Sequence, residues 1–345
     1  MRVIIGMRGD GKVSKSYKTN KSDKRSARKS DGSKSTAGKG NVSKANLKKN
    51  RTEEINRSVY CIFVSPTGNT KEAVRAIAKG IAKKVSDGDF FTIDITPMDE
   101  REGVYDFGPE DVVVVGSPTY AGRIPNKLLP YYEEAIIGNG ALGVSVVTYG
   151  NRAYDDSLKE LSNVMLTNDF KVVSAVAVPT EHAFVSELAT GRPNDEDLQK
   201  LFEIGLDIGS KILKSDTSKE VSVIGRSSEG ISSEDDILAR IPGRNPDEMQ
   251  YYVPKKEDGE PAVFLKAMPK TDTSKCDGCG ECKYICPMGC FSNSIADPEG
   301  VCIKCQGCVY VCPNGAKYFD NEDFLSHKEY LKKNYADIKR EIEVY

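Results

Sequence analysis

With 345 residues, 39% of them apolar and 29% charged, the chain is long enough for about two domains and has no run near the ~18 apolar residues of a membrane span. Ten cysteines in so long a chain, with no apolar leader core, exclude a small secreted disulfide scaffold and lead us to expect a reducing, cytoplasmic interior. The net charge of -2 conceals an asymmetry, because residues 1–52 carry 16 Lys and Arg against 3 Asp and Glu, a net of +13 that leaves -15 for the rest.

Residues 1–55 form a basic extension rich in Ser, Gly and Lys, almost without branched apolar or aromatic residues after Ile5. Such a segment cannot bury enough surface to offset its ordering entropy, so disorder is expected. Four readings stay open for it: a solvated tail, an upstream extension from a misassigned start, an arm for nucleic acid or an anionic surface, and a targeting peptide. Positive charge alone is a weak sign of a nucleic-acid partner, and targeting peptides favour Arg and amphipathic spacing. No nucleic-acid partner is expected on this ground.

From residue 56 to 215 short apolar runs alternate with helical patterns, the mark of an α/β domain with a parallel sheet. Five strands are predicted at 58–64, 90–95, 111–116, 142–148 and 171–178, and helices near 70–86, 125–137, 155–168 and 195–214. Continuous apolar strands such as Val112 to Val115 imply burial on both sheet faces. A doubly wound sheet of order 2-1-3-4-5 binds its ligand at the carboxyl ends of strands one and three.

The loops at that edge carry the candidate residues. After the first strand comes Ser65-Pro66-Thr67-Gly68-Asn69-Thr70, where hydroxyls, a glycine and backbone N–H groups at a helix start suit a phosphate dianion. The Gly-Lys-Ser/Thr ending of a nucleotide P-loop is missing from it. The loop after strand three runs Ser117-Pro118-Thr119-Tyr120-Ala121-Gly122-Arg123, and that after strand four runs Thr148-Tyr149-Gly150-Asn151-Arg152-Ala153-Tyr154. These loops resemble those of flavodoxins, and the hexamer is similar to the flavodoxin phosphate motif at every defined position. The resemblance implies FMN, with Ser65, Thr67, Gly68, Asn69 and Thr70 on its phosphate. It further implies Ser117, Thr119, Thr148, Tyr149, Gly150 and Asn151 near the ring, with Tyr120 and the backbone at Gly122 flanking it. Many flavodoxins stack a tryptophan on the flavin; this chain has none, so Tyr120, Tyr149 or Tyr154 serves, or one face stays open. Tyr154 equally suits a brace for its loop.

His182, in the loop after strand five, is the candidate catalytic residue, able to donate a proton near the ring, although a lone histidine more often organises a loop. His327, on a polar C-terminal helix near 321–340, is expected to be solvated. Residues 216–269 read as a linker, of which Tyr251 to Met268 is apolar enough to pack along a domain surface.

Eight cysteines fall in two copies of one spacing, Cys276-x-x-Cys279-x-x-Cys282-x-x-x-Cys286-Pro287 and Cys302-x-x-Cys305-x-x-Cys308-x-x-x-Cys312-Pro313, offset by 26 residues. Thiolates two residues apart converge on one cubane from a tight loop, whereas the fourth lies past a short helical turn and reaches the other cluster. The expected ligand sets are therefore Cys276, Cys279, Cys282 and Cys312 for cluster 1, and Cys302, Cys305, Cys308 and Cys286 for cluster 2. A pair of zinc sites is the rival, but zinc favours two separated pairs of ligands. Cys61 and Cys290 read as buried core.

Residues 270–319 resemble a bacterial-type ferredoxin with two 4Fe-4S clusters, a small α+β dicluster domain. Over residues 56–343 the chain is similar to flavodoxin-ferredoxin fusion proteins of anaerobic microbes, followed over 320–345 by the C-terminal helix. That resemblance implies electron transfer among FMN, two 4Fe-4S clusters and redox protein partners, steered by the acidic body. An alternative is an FMN-dependent reductase of a quinone or another small acceptor; a third reading makes the clusters props for a nucleic-acid-binding protein.

Overall fold

The computed structural model describes residues 3–7, 13–17, 57–217 and 235–345. Within the basic extension, Val3–Met7 and Val13–Tyr17 pair as an antiparallel ladder, so the expectation of disorder does not hold for these ten residues. Their Val, Ile and Tyr content favours strands over coil. The remainder of the expected disordered tail, and residues 218–234 of the expected linker, lie outside the described residues.

The strands β1 (Ser58–Phe63), β2 (Phe91–Asp94), β3 (Asp111–Pro118), β4 (Leu142–Tyr149) and β5 (Lys171–Pro179) pair in parallel. Their spatial order is β2-β1-β3-β4-β5, the doubly wound order expected. Helices α1 (Asn69–Val85) and α4 (Asp195–Thr217) cover one face with Val74, Ile77, Ile81, Leu201 and Ile208. Helices α2 (Leu129–Ala135) and α3 (Ser157–Thr167) cover the other with Tyr132, Leu158, Leu161 and Met165. Valines 112 to 115 are buried from both sides, as their unbroken apolar run requires.

Glycine in a helix interior costs about 1 kcal/mol relative to Ala, and here close packing explains it. A Cβ on Gly205 would lie 3.0 Å from the Cα of Gly80, so α1 and α4 touch backbone to backbone. Helix α2 is shorter than the expected 125–137 because Pro130, which lacks an N–H, fits only the first helical turn. It ends where Ile136–Ile137 pairs with Tyr105–Asp106.

The described part of the linker is packed rather than free. Helix α5 (Asp235–Arg240) brings Ile237 into the core beside α3, with Ile241 following. Arg244 pairs with the buried carboxylate of Asp156 at 2.7 Å, and the Tyr252 amide donates to the Ala121 carbonyl at 2.8 Å. The cysteine segment contains α6 (Glu281–Ile285) and α7 (Gly307–Val311), clasped by the antiparallel pair Lys270–Thr271 and Lys317–Tyr318.

The chain then returns to the first domain. Helix α8 (Glu322–Tyr335) starts at Asn321, whose side chain accepts from the Phe324 amide at 3.0 Å. His327, expected to be solvated, is 4% exposed, with Nδ1 2.8 Å from the Lys255 carbonyl; the linker folds over it. The C-terminal strand β6 (Glu343–Val344) pairs antiparallel with β5, Glu343 opposite Ala177 and Val344 opposite Val176. The five-stranded sheet expected is thus six-stranded, because an open β5 edge finds its partner in the last residues.

Candidate cofactor site

The hexamer after β1 turns onto the N-terminus of α1 through Gly68, whose φ of +91° is the left-handed region that glycine tolerates. The Ser65 hydroxyl accepts from the Lys71 amide at 3.0 Å, and the Ser65 amide donates to Thr96 Oγ1 at 2.7 Å. Thr70 Oγ1 lies 2.7 Å from Thr148 Oγ1, which ties the first candidate loop to the one after β4. Among the described residues no acceptor is found for the amides of Thr67, Asn69 and Thr70. Unpaired donors at a helix start, beside a glycine whose missing Cβ faces open space, fit a phosphate. The Asn69 amide group donates to the Glu181 carbonyl at 3.2 Å, joining this loop to the one after β5.

The other expected ring-side residues divide into two groups. Tyr120 and Arg123 exchange backbone hydrogen bonds of 2.9 and 3.2 Å, a tight reversal through Ala121 and Gly122, both at positive φ. Burial, followed by the nearby Cys305, Tyr132 and Cys302, pushes the Tyr120 phenol well above its usual pKa, so this ring sits beside the second cysteine loop. Tyr149 is instead core, packed edge-on to Tyr154 at 5.3 Å, and Tyr154 donates to Glu343 at 2.9 Å. Asn151 is buried and spends its amide on the carbonyls of Tyr335 and Ile338, at 3.0 and 2.7 Å. Ser117 bonds the Pro118 carbonyl, and Thr119 bonds Ser157 at 2.7 Å. Gly150 admits His182, since a Cβ there would lie 2.6 Å from the imidazole Cγ.

His182 itself packs edge-on against Phe184 with ring centres 4.3 Å apart. Desolvation, with the charges of His327, Arg152 and Lys328, pushes its pKa down to about 3. The ring is neutral at pH 7, and its packing against Gly150 and Phe184 braces this loop.

The cysteines occupy two unlike environments. Cys286, Cys302, Cys305 and Cys308 line one small pocket, together with Cys290, Met288, Phe291, Ile303, Gln306 and Phe319. Around it the Lys304 amide donates to Cys302 Sγ at 3.3 Å and the Cys290 amide to Cys286 Sγ at 3.4 Å. The repeat reproduces the second bond, with the Ala316 amide 3.2 Å from Cys312 Sγ. Hydrogen bonds from the Cys290 thiol and then from backbone amides pull Cys286 down to about 6, while burial pushes Cys308 up to about 12.

Thiols in an apolar cavity with amides aimed at sulfur fit an iron-sulfur cluster, whose iron supplies the charge that such burial denies to free thiolates. Loop geometry agrees between the copies even against residue preference. Gly278 and Gly280 have φ of +79° and +83°, and their counterparts Lys304 and Gln306 keep +56° and +64°. A side chain there costs about 1–2 kcal/mol, so the second copy retains the turn under strain.

The two cysteine loops also face different ways. In the first, Asp277, Cys279, Glu281 and Lys283 are exposed. In the second, the matching Ile303, Cys305, Gly307 and Val309 turn inward, and a Cβ on Gly307 would lie 3.1 Å from that of Pro66 in the hexamer. Arg101 spans the junction, bonding the Ile95 carbonyl at 2.7 Å and reaching the Pro287 carbonyl. The sequence alone did not single out Pro66, Arg101 or Gly307, although the exchange of Glu281 for Gly307 between the copies was a visible sign.

Comparison with known proteins gives two family matches, both described as a 4Fe-4S binding domain, over residues 269–292 and 299–315. No curated protein matches the chain. Among solved structures, an archaeal flavodoxin is 21% identical, with 46% of this chain and 99% of that one covered and a TM-score of 0.30. A Streptococcus pneumonia flavodoxin is 19% identical, over 44% of this chain and 98% of its own, at 0.31. A Fusobacterium nucleatum flavodoxin bound to flavin mononucleotide is 17% identical, over 46% and 98%, also at 0.31.

Proposed function

We propose that this chain, 4Fe-4S binding domains joined to a doubly wound sheet of flavodoxin order, is an electron-transfer flavo-iron-sulfur protein that links FMN, two clusters and a docked redox protein. The observation that carries the reading is the seating of the second cysteine loop on the candidate phosphate loop, Gly307 against Pro66. When bound, FMN exchanges one or two electrons and each cluster one, so a two-electron input can be divided into single steps.

This chain's residues supply the rest. Thr67, Asn69 and Thr70 offer amides to the flavin phosphate around the turn at Gly68, and Tyr120 stands at the junction with the second cysteine loop. Cys302, Cys305, Cys308 and Cys286, which line one pocket, would hold the inner cluster. Cys276, Cys279, Cys282 and Cys312 hold the outer one, whose loop is open to a partner at Cys279. The domain limits follow: 56–215 for the flavin, 270–319 for the clusters. The neutral His182 gives no support to a catalytic step on a small acceptor.

Protein purified without air is expected to contain iron and sulfide for two clusters per FMN. Cys286→Ser and Cys302→Ser should each remove the same cluster and leave the other's electron paramagnetic resonance signal intact. Zinc without flavin, or loss of different clusters in the two variants, overturns the reading.

A further inference from the structure

Lys317 is a buried cation with no acid beside it. It is 3% exposed, and its Nζ donates to Thr271 Oγ1 at 2.7 Å and to the Ile295 carbonyl while sitting 4.1 Å from the centre of the Phe291 ring. Among the described residues it forms no ion pair, although every other lysine of this segment near a carboxylate lies at the surface, as Lys270 does with Asp320. A buried ammonium held by neutral groups alone is costly, and a negative charge close by would offset that cost.

The fold places that charge. Lys317 follows the last cysteine of the second copy by five residues, and its counterpart 26 residues earlier is Phe291, the ring it covers. The Phe291 ring under the ammonium packs in one buried cluster with Cys282, Cys286 and Cys308, expected ligands of both clusters. Cluster potentials respond to local charge and hydrogen bonding. The duplicated half-module thus breaks its own symmetry at this pair, with an aromatic ring in one copy and a cation in the other.

We propose that Lys317 is the shared counter-charge of the two clusters, a positioning residue that holds both reduction potentials up and makes the reduced dicluster state easier to reach. The inference rests on the cluster reading above. It concerns a group separated from the cluster ligands by the Phe291 ring, which takes no part in binding iron.

The test is a redox titration of the whole holoprotein, followed by electron paramagnetic resonance. Lys317→Gln keeps a hydrogen-bond donor and removes the charge; it should lower the reduction equilibrium constant of both clusters at least about tenfold, about 59 mV for a one-electron couple. Lys317→Arg should stay near the wild type. Lys317→Met, which needs no polar partner in an apolar site, serves as a second neutral variant should Gln fail to load iron. Iron-replete neutral variants with unchanged potentials, or an Arg variant that falls as far as Gln, overturn the proposal while leaving the cluster reading intact. Wild-type protein without iron and sulfide overturns both.

Discussion

Single residues decide more here than their types suggest. Three tyrosines were open candidates for the flavin face, and packing separates them: Tyr149 and Tyr154 belong to the core, and only Tyr120 reaches toward the cysteine module. Histidine shows the same effect. His182 has a native pKa near 3, below the ~6.5 of an unfolded chain, so the folded state cannot take up the proton that the unfolded state binds between those values. Its contribution is fully present above pH 6.5 and is lost as pH falls toward 3, by at most about 1.4 kcal/mol per pH unit. Urea unfolding at pH 7 and pH 5 is expected to show wild type losing stability relative to His182→Gln. An equal pH response in both proteins would refute this.

At the scale of elements, the duplicated cysteine segment is symmetric in backbone and asymmetric in surface. Asp277, Glu281 and Lys283 of the first loop become Ile303, Gly307 and Val309 in the second, and the apolar copy is the one against the sheet. Gly307→Glu, which only restores the residue of the first copy, should drive a side chain into Pro66 and cost about 1–3 kcal/mol by overpacking. Glu281→Gly, on the exposed loop, should cost no more than the ~1 kcal/mol of glycine in a short helix. Thermal unfolding of the two variants checks the ordering, and a smaller loss for Gly307→Glu would contradict the docking. Parallel strands and helices were legible because their apolar periods are local; α2 is shorter than its apolar period suggests because Pro130 fits only the first helical turn.

At the scale of the whole molecule, the chain is not two beads on a string. After the cysteine module it returns through α8 to close the β5 edge, and Ile342 enters the core of the first domain. Truncation after Arg340 removes Ile342 and the last ladder, and should cost about 2–5 kcal/mol, the usual loss for a deleted core Ile. Urea titration of the truncated holoprotein would show it; an unchanged midpoint would mean that β6 contributes little. The deletion tests closure of the sheet rather than cofactor binding, because no candidate ligand lies beyond Cys312.

The sequence by itself determined the α/β order of the sheet, the duplicated cluster spacing and the glycine turn at the head of α1. Each is written in neighbouring residues, as a period, a gap or a positive φ. Tertiary structure alone decided which cysteine loop turns inward, that Asn151 and Tyr154 anchor the C-terminal return, and that Lys317 is buried without an acid. Those outcomes depend on surfaces more than a hundred residues apart meeting, or on a cation being shut away from water, and no local pattern records either event.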